Sequence, residues 1–439
     1  MSARQRTALA LFIGAFLVYN FPLAYDLIHK PFFGWVAGQD VVSTTFLPLA
    51  LFERGDFTLA QYENFFRTNW RSPYFIADVN GQIVSRYPVI GAVLALPFYG
   101  VPLGTGWIAN PQKSWLQFPW SVFFPGKVAA ATLTALAVVM FFFCARALTD
   151  RATSAALAIG FGFATSVWST ASQGLWQHTP SILLQLIALW FILRGTRGDP
   201  RALAPGAFFL SAATMARQSV GLTALVWTLY VVIAARPAIW RWIVWAIPPV
   251  LLTLAYNATY NGSPFVFGYQ DGVAEVLRVP RVESIAGLLI SPSRGLLVYS
   301  PFFIFVLCSF KNFGARRLFY FFTAITFGLG FFLLASFEAW DGGWGYGTRL
   351  LTDVLPYAMF WLIPAYTQLR GAGRTIFWSL AGFALMLQSF GLWDYGARWH
   401  WHWENYHPDF WNIARNEPWF YLNEYAAMAQ HFFRVYFGR

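Results

Sequence analysis

Twelve mostly apolar runs recur along the chain, at 7–25, 87–103, 122–145, 153–168, 179–193, 203–216, 220–235, 242–257, 295–310, 318–336, 351–369 and 375–393. Polar connectors separate them. A helix that crosses a hydrocarbon core of ~30 Å needs about 20 such residues, so the pattern predicts bundled transmembrane helices. Several runs are short or interrupted by proline, which leaves roughly 11 to 13 spans. The connectors 194–201, 236–241, 311–317 and 370–374 are short and rich in arginine. The positive-inside rule puts all four, with the basic N-terminus, on the cytoplasmic side. The loops 26–86, 168–178, 258–294 and 337–349 and the tail from 394 are rich in Trp, Tyr, Asn and Gly and fall on the outer face. One conflict stays open. Arg146 and Arg151 carry the cytoplasmic signature, whereas counting runs from the N-terminus puts them outside. Either the run 87–103, with Pro88, Pro97 and Pro102, does not fully cross, or the charge rule fails locally.

Composition sharpens this reading. Charged residues make up 11% of the 439, against roughly a quarter in an average soluble protein, and this excludes an ordinary soluble enzyme. A net charge of +11 would suit a nucleic-acid partner, but the basic residues concentrate in the connectors, where they act as topology signals, so no nucleic acid is expected. Cys144 and Cys308 both lie in apolar runs and read as small buried hydrophobes, not as a disulfide. Met-Ser-Ala-Arg-Gln-Arg precedes the first run with no small-x-small cleavage site after it, so that run is expected to stay as an anchor. No internal repeat or low-complexity segment interrupts the pattern. The fold class is an all-α polytopic membrane protein, with a transmembrane domain over 1–393 and a short aromatic-rich tail over 394–439.

The outer loops hold most of the polar chemistry. In the first, 43–56 predicts a helix lying at the membrane surface, with Phe46, Leu47, Leu49, Ala50, Leu51 and Phe52 as its apolar positions. Just before it, Asp40 is a lone acid at the membrane boundary. It fits a general base, with its pKa raised by partial desolvation, or equally a solvated loop carboxylate or helix cap. Arg86 stands before the next run, where its planar fork suits a lipid phosphate or simply anchors at the interface. His178 ends the stretch Trp168–His178 and fits a ligand, a proton carrier or an interfacial histidine. Arg217 interrupts apolar sequence, a costly position for a cation, and there it faces either a cavity or a partner.

Further candidates are Tyr269 in the segment 256–269, Arg294 in Ser-Pro-Ser-Arg, and Asp341, Tyr346 and Arg349 in Trp340-Asp-Gly-Gly-Trp-Gly-Tyr-Gly-Thr-Arg349. Glycines there permit tight turns and close backbone approach. Trp and Tyr can stack on sugar rings or form an interfacial belt. The tail alternates His and Trp over 398–404, but spacing fixes no third ligand, so no metal is expected. Asn257-Ala-Thr abuts a helix end and is a poor glycosylation site. Walker, Rossmann, HExxH and Gly-x-Ser-x-Gly motifs are absent from the sequence.

At these residues the chain resembles the GT-C superfamily of bacterial inner-membrane glycosyltransferases, in the broad group with protein mannosyltransferases and the lipid A aminoarabinose transferase. Gln39-Asp40 sits where those enzymes place an acidic motif in the first periplasmic loop, and Ser85-Arg86-Tyr87-Pro88 is similar to their basic-then-Tyr-Pro approach to the second helix. Leu175–His178, the 256–269 segment and Trp340–Arg349 also look like GT-C sequences. The resemblance implies a GT-C-like bundle in the inner (plasma) membrane, with its active face periplasmic or extracellular. It implies inverting transfer from a polyprenyl-phosphate sugar to a lipid, glycan or protein acceptor, without a cofactor. Asp40 would be the base. Arg86, Tyr87, Arg217 and Arg349 would hold the donor phosphate and lipid, and His178, Tyr269, Arg294, Asp341 and Tyr346 would contact substrate. Two departures matter. Many relatives have paired acids where Gln39 precedes Asp40 here, which keeps a base but weakens a metal site. Many also carry a C-terminal periplasmic domain, where this chain has only the tail. The rival reading is a transporter or flippase of a lipid-linked saccharide, although the repeated halves common in transporters are not seen.

Overall fold

Helices account for each of the twelve apolar runs in a computed structural model that describes residues 1–29, 38–106, 122–266, 268, 277–311, 313–392, 398–402 and 409–437. The first ten helices are α1 (Ala3–His29), α2 (Val42–Arg54), α3 (Glu63–Asn69), α4 (Ile90–Gly104), α5 (Phe123–Arg146), α6 (Arg151–Phe163), α7 (His178–Gly195), α8 (Leu203–Ala216), α9 (Val220–Ala234) and α10 (Ile239–Tyr260). Arg317–Ala335, Leu355–Gln368, Ala372–Phe390 and Glu417–Phe437 are the longer helices that follow. Local chemistry sets their ends. Ser2 and Gln5 cap each other's backbone N–H at the start of α1 (3.3 and 2.7 Å). The Asp150 carboxylate accepts from the N–H of Thr153 at the start of α6.

Four stretches are long and apolar enough to cross a membrane by length and composition: Ala3–Tyr25, Phe123–Arg146, Arg236–Tyr260 and Arg317–Ala335. Most others are shorter. The run 295–310 is not one helix. A single helical turn, Leu296–Tyr299, gives way to a 3-10 stretch, Pro301–Lys311, because Pro301 brings no N–H and disfavours helical backbone in the residue before it. Large apolar side chains of α10, among them Trp240, Ile243, Val244, Trp245, Leu251 and Leu252, point away from the protein.

The bundle is built by α7 against α5 and α8, α8 against α10, and α1 against α5. Its two ends differ. Arg4 at the start of α1, Arg146 at the end of α5 and Arg194 at the end of α7 line one cavity. Arg146 therefore lies with the N-terminus and the connector 194–201, as its charge suggests. At its other end α5 begins beside Thr45 and Tyr99, which crowd Gly126. The chain from the end of α1 to the start of α5 thus returns to the face on which it set out. With 15 residues, α4 is about 22 Å long, short of a ~30 Å hydrocarbon core.

The first loop folds more tightly than the sequence predicts. The helix expected over 43–56 forms as α2, but every residue from Val42 to Ala50 is buried, so it does not lie on a membrane surface. The reason is what covers it. Phe46 is enclosed by the rings of Tyr62, Phe66 and Phe123 at 5.0, 4.9 and 6.0 Å. Its polar side is satisfied internally: Thr44 donates to the carbonyl of Leu175 (3.0 Å), and Ser43 accepts from Ser85 (2.9 Å). Ser85 belongs to a hairpin of β1 (Ile76–Val79) and β2 (Gln82–Ser85), in register Ile76 with Ser85. Asn80-Gly81 makes its turn with both residues at positive φ, the usual signature of a two-residue hairpin.

A buried ion pair fastens the C-terminal helix over this face. The Glu417 carboxylate accepts from Arg294, from the Tyr299 hydroxyl (2.9 Å) and from the N–H of Gly347 (2.9 Å). Arg294 is sandwiched between the Trp399 and Phe410 rings at 5.3 and 5.1 Å, and both charged side chains are essentially inaccessible. Removing one partner strands the other charge out of water. Glu417→Gln should therefore cost about 3 kcal/mol or more, read as a lower thermal midpoint in detergent. Limited proteolysis should then release the segment after 417 before the bundle is cut. An unchanged midpoint with an intact tail would mean that the pair does not hold the helix down.

Candidate functional site

Asp40 occupies a short 3-10 turn, Gln39–Val41, that runs straight into α2. Gly38 precedes it at φ 93°, and a Cβ there would lie 2.9 Å from the Trp176 ring, so only glycine lets the turn and the tryptophan approach. The Asp40 carboxylate is fully engaged. The hydroxyls of Tyr74 and Tyr87 donate to Oδ1 at 2.6 and 2.8 Å, and Arg349 Nη1 donates to Oδ2 at 2.7 Å. Arg349 also donates to the carbonyl of Gly342 (2.6 Å) and lies over the Trp176 ring at 4.6 Å. The glycine-rich segment makes room for it. A Cβ on Gly345 would stand 2.4 Å from Arg349 Nε.

These contacts reverse one expectation. Burial does push the Asp40 pKa upward, but the Arg349 cation and the hydrogen bonds from Tyr74, Tyr87 and Arg349 outweigh it, and the carboxyl titrates below its ordinary value. At neutral pH the site holds a carboxylate, not a carboxylic acid.

A second cluster lies next to the first in the chain. Arg349 opens a 3-10 turn, Arg349–Asp353, and the last residue of that turn is buried against His178 and Arg217. His178 Nδ1 stands 2.7 Å from Asp353 Oδ2, and Arg217 Nε is 3.0 Å from the same oxygen. Arg217 Nη1 is 2.9 Å from His178 Nδ1 and 2.8 Å from Nε2. Arg217 takes extended backbone between α8 and α9, where the helix breaks to present it. Lys127, fully buried in α5, donates to the Ser172 carbonyl (2.7 Å) and the Gln173 amide oxygen (2.9 Å), and so fixes the loop that delivers Trp176 and His178. A π-helical turn, Val167–Ala171, starts that loop.

The remaining sequence candidates scatter. Arg86 lines a cavity of about 30 Å³ with Gln218, Tyr256 and Asn257, beside Tyr87 but apart from the Asp40 carboxylate contacts. Asp341 accepts from the N–H of Gly343 (2.9 Å) and shapes the glycine turn. Tyr346 is buried, with its hydroxyl on the Leu387 carbonyl (2.6 Å). Arg294 is enclosed in the pair with Glu417, out of reach of a ligand in this conformation. Tyr269 lies outside the described residues. Sequence reasoning missed Asp353, whose signal was an acid at the edge of an apolar run, and Tyr74, which carried none. Among the described residues no three His, Cys, Asp or Glu side chains gather as a metal site would require.

Exposure separates the three acids: the Asp40 side chain is 20% accessible, against 5% for Asp353 and 0% for Glu417, while Arg349 and Arg217 are alike at 15%. Solvent therefore touches the Asp40 side chain more than that of either other acid. No family model matches this chain, and no curated protein is significantly similar to it.

Gly345→Ala tests the first cluster without removing a charge, because the added Cβ drives Arg349 off Asp40. A carboxylate whose folded pKa is depressed adds stability above its unfolded value and loses it as pH falls through the folded pKa. The wild-type advantage in thermal stability over this variant should be largest at neutral pH and shrink below the ordinary carboxylate range. A gap independent of pH would assign the loss to crowding alone.

Proposed function

We propose that this chain is a polytopic membrane protein of the GT-C kind, an inverting glycosyltransferase. It moves a sugar from a polyprenyl-phosphate donor to a hydroxyl of a lipid, glycan or protein acceptor. The observation that carries this reading is the Asp40–Arg349 pair, which sets a base and a phosphate-binding fork side by side. The membrane part rests on the four long apolar helices, on the outward-facing apolar side chains of α10, and on the arginines gathered at the opposite end of the bundle. In this reading the Asp40 face is periplasmic or extracellular.

In this mechanism the two charges separate when the donor arrives. Arg349 turns from Asp40, which it meets through one nitrogen, to the donor phosphate, whose oxygens suit its fork. Asp40 thereby loses its main counter-charge while staying largely buried, and its basicity rises just when substrate is present. The acceptor hydroxyl oxygen attacks the anomeric carbon, and the bond from that carbon to the phosphate oxygen breaks. The phosphate leaves with the electron pair, stabilised by Arg349, and the hydroxyl proton passes to Asp40. Attack opposite the leaving group inverts the centre. Arg86, beside Tyr87, supplies a second cation for the lipid phosphate. Arg217 is committed to Asp353 and His178, and acts as a positioning residue behind Arg349.

Sugar transfer by the purified protein in nanodiscs, with a panel of polyprenyl-phosphate sugars, tests this directly. Loss of the base in Asp40→Asn should lower turnover by about 10²–10⁴-fold while donor binding persists. Turnover unchanged by that substitution would remove Asp40 from the chemistry. Donor binding without turnover in the wild type, given a competent acceptor, would favour a transporter.

The pH profile gives a second test. The acid limb of kcat/KM reports the base in the free enzyme, and in the wild type it should fall below the ordinary carboxylate range. In Arg349→Gln burial is no longer opposed by the cation, so the limb should move to higher pH. A limb that stays in place would mean that Asp40 is not the group that titrates.

A further inference from the structure

At the end of the bundle away from Asp40, a cavity of about 620 Å³ opens between the start of α1, the end of α5 and the end of α7. Four arginines, Arg4, Arg146, Arg194 and Arg197, line it against a single acid, Asp199. That acid is already paired with Arg194 at 2.9 Å, so three of the four guanidiniums have no carboxylate of their own in the cavity. Arg146 is half-buried, and its Nε is enclosed without a hydrogen-bond partner. Arg4 and Arg194 lie over the Phe143 and Trp190 rings at 4.7 and 4.9 Å, which holds their charge at the rim beside an apolar wall. Arg316 adds to the crowding. It donates to the carbonyl of Ala147, which lines the same cavity, and burial followed by the field of Arg316 lowers the pKa of Arg197.

Excess positive charge crowded round a partly apolar space is unfavourable until an anion enters it. We propose that this cavity binds a phosphate group, of the kind carried by an anionic phospholipid at the cytoplasmic membrane boundary. Arginine forks match phosphate oxygens, and basic pockets between helices on that side take anionic headgroups. The volume exceeds what inorganic phosphate fills and suits a headgroup, with Trp190 and Phe143 meeting the glycerol and upper acyl region. The assignment rests on the membrane-spanning reading but not on the transferase chemistry, since the site is at the far end from Asp40.

Native mass spectrometry of the full-length protein in detergent, titrated with phosphatidylglycerol, cardiolipin or phosphatidylcholine, tests the site. The anionic lipids should bind about ten-fold more tightly than phosphatidylcholine, the equivalent of one good charge contact. Arg194→Gln/Arg197→Gln, both on the exposed rim and so tolerable to the fold, should abolish that preference. Arg197→Lys should keep most of it. Arg370→Gln, which removes the same charge outside the cavity, should leave it intact. Competition by inorganic phosphate in the wild type would support the site and assign its affinity to the phosphate alone, and failure to compete would assign it to the lipid. Equal retention of anionic and zwitterionic lipids by the wild type, or a preference that survives the rim variant, overturns the proposal.

Discussion

A carboxylate taken out of water costs several kcal/mol unless a cation and hydrogen-bond donors replace the solvent, and three acids of this chain are held under that constraint. Asp40 is met by Arg349, Asp353 by Arg217 and His178, and Glu417 by Arg294. Each partner is distant in sequence, 309 residues away for Asp40 and 123 for Glu417. The pairs therefore decide how the loops of one face close over the bundle. The turn Arg349–Asp353 belongs to two of them, giving its cation to one cluster and its carboxylate to the other. Of the glycines before it, Gly345 is the one the Arg349 guanidinium passes, and Gly342, Gly343 and Gly347 take positive φ.

The opposite face follows the reverse rule. There cations outnumber acids around an open cavity, and Asp199 answers only Arg194. One end of the molecule is charge-matched and nearly closed, the other unmatched and open. The two ends so suit different partners: a transient ligand that must break an existing pair, and a resident anion that completes an incomplete one. In the proposed transfer reaction this difference separates chemistry from anchoring along the bundle axis.

Helices were legible because length, apolarity and their punctuation all agree. The run 203–216 coincides with α8 and 220–235 ends one residue past α9, since Arg217 and Arg236 mark the breaks. The side on which Arg146 lies was carried by its charge and obscured by counting, because the chain between α1 and α5 returns to the face on which it set out. The Asn-Gly hairpin had a readable signal in Asn80-Gly81 that the surrounding apolar pattern masked. Burial of α2 had none, as nothing in 43–56 announces that Phe66 and Phe123 will cover it. Within the site, Asp40, Arg349 and His178 stood out as charges in polar loops next to apolar sequence. Their partners did not. Asp353 looked like part of an apolar run, and Tyr74 was one tyrosine among many, so only the tertiary fold brings a second hydroxyl to Asp40.

The order in which the clamp on the C-terminal helix is made has its own consequence. Arg294 leaves the ribosome 123 residues before Glu417, on the order of ten seconds at common synthesis rates. Through that interval the Glu417 carboxylate does not yet exist, and Trp399 and Phe410, which later sandwich Arg294, are made only near its end. Burial of Arg294, and with it the docking of the segment around Gly347, must therefore wait until Glu417 has been made. The helices made before Arg294 can pack as they emerge, but the face that carries Asp40 takes its final form only after Glu417 has joined it.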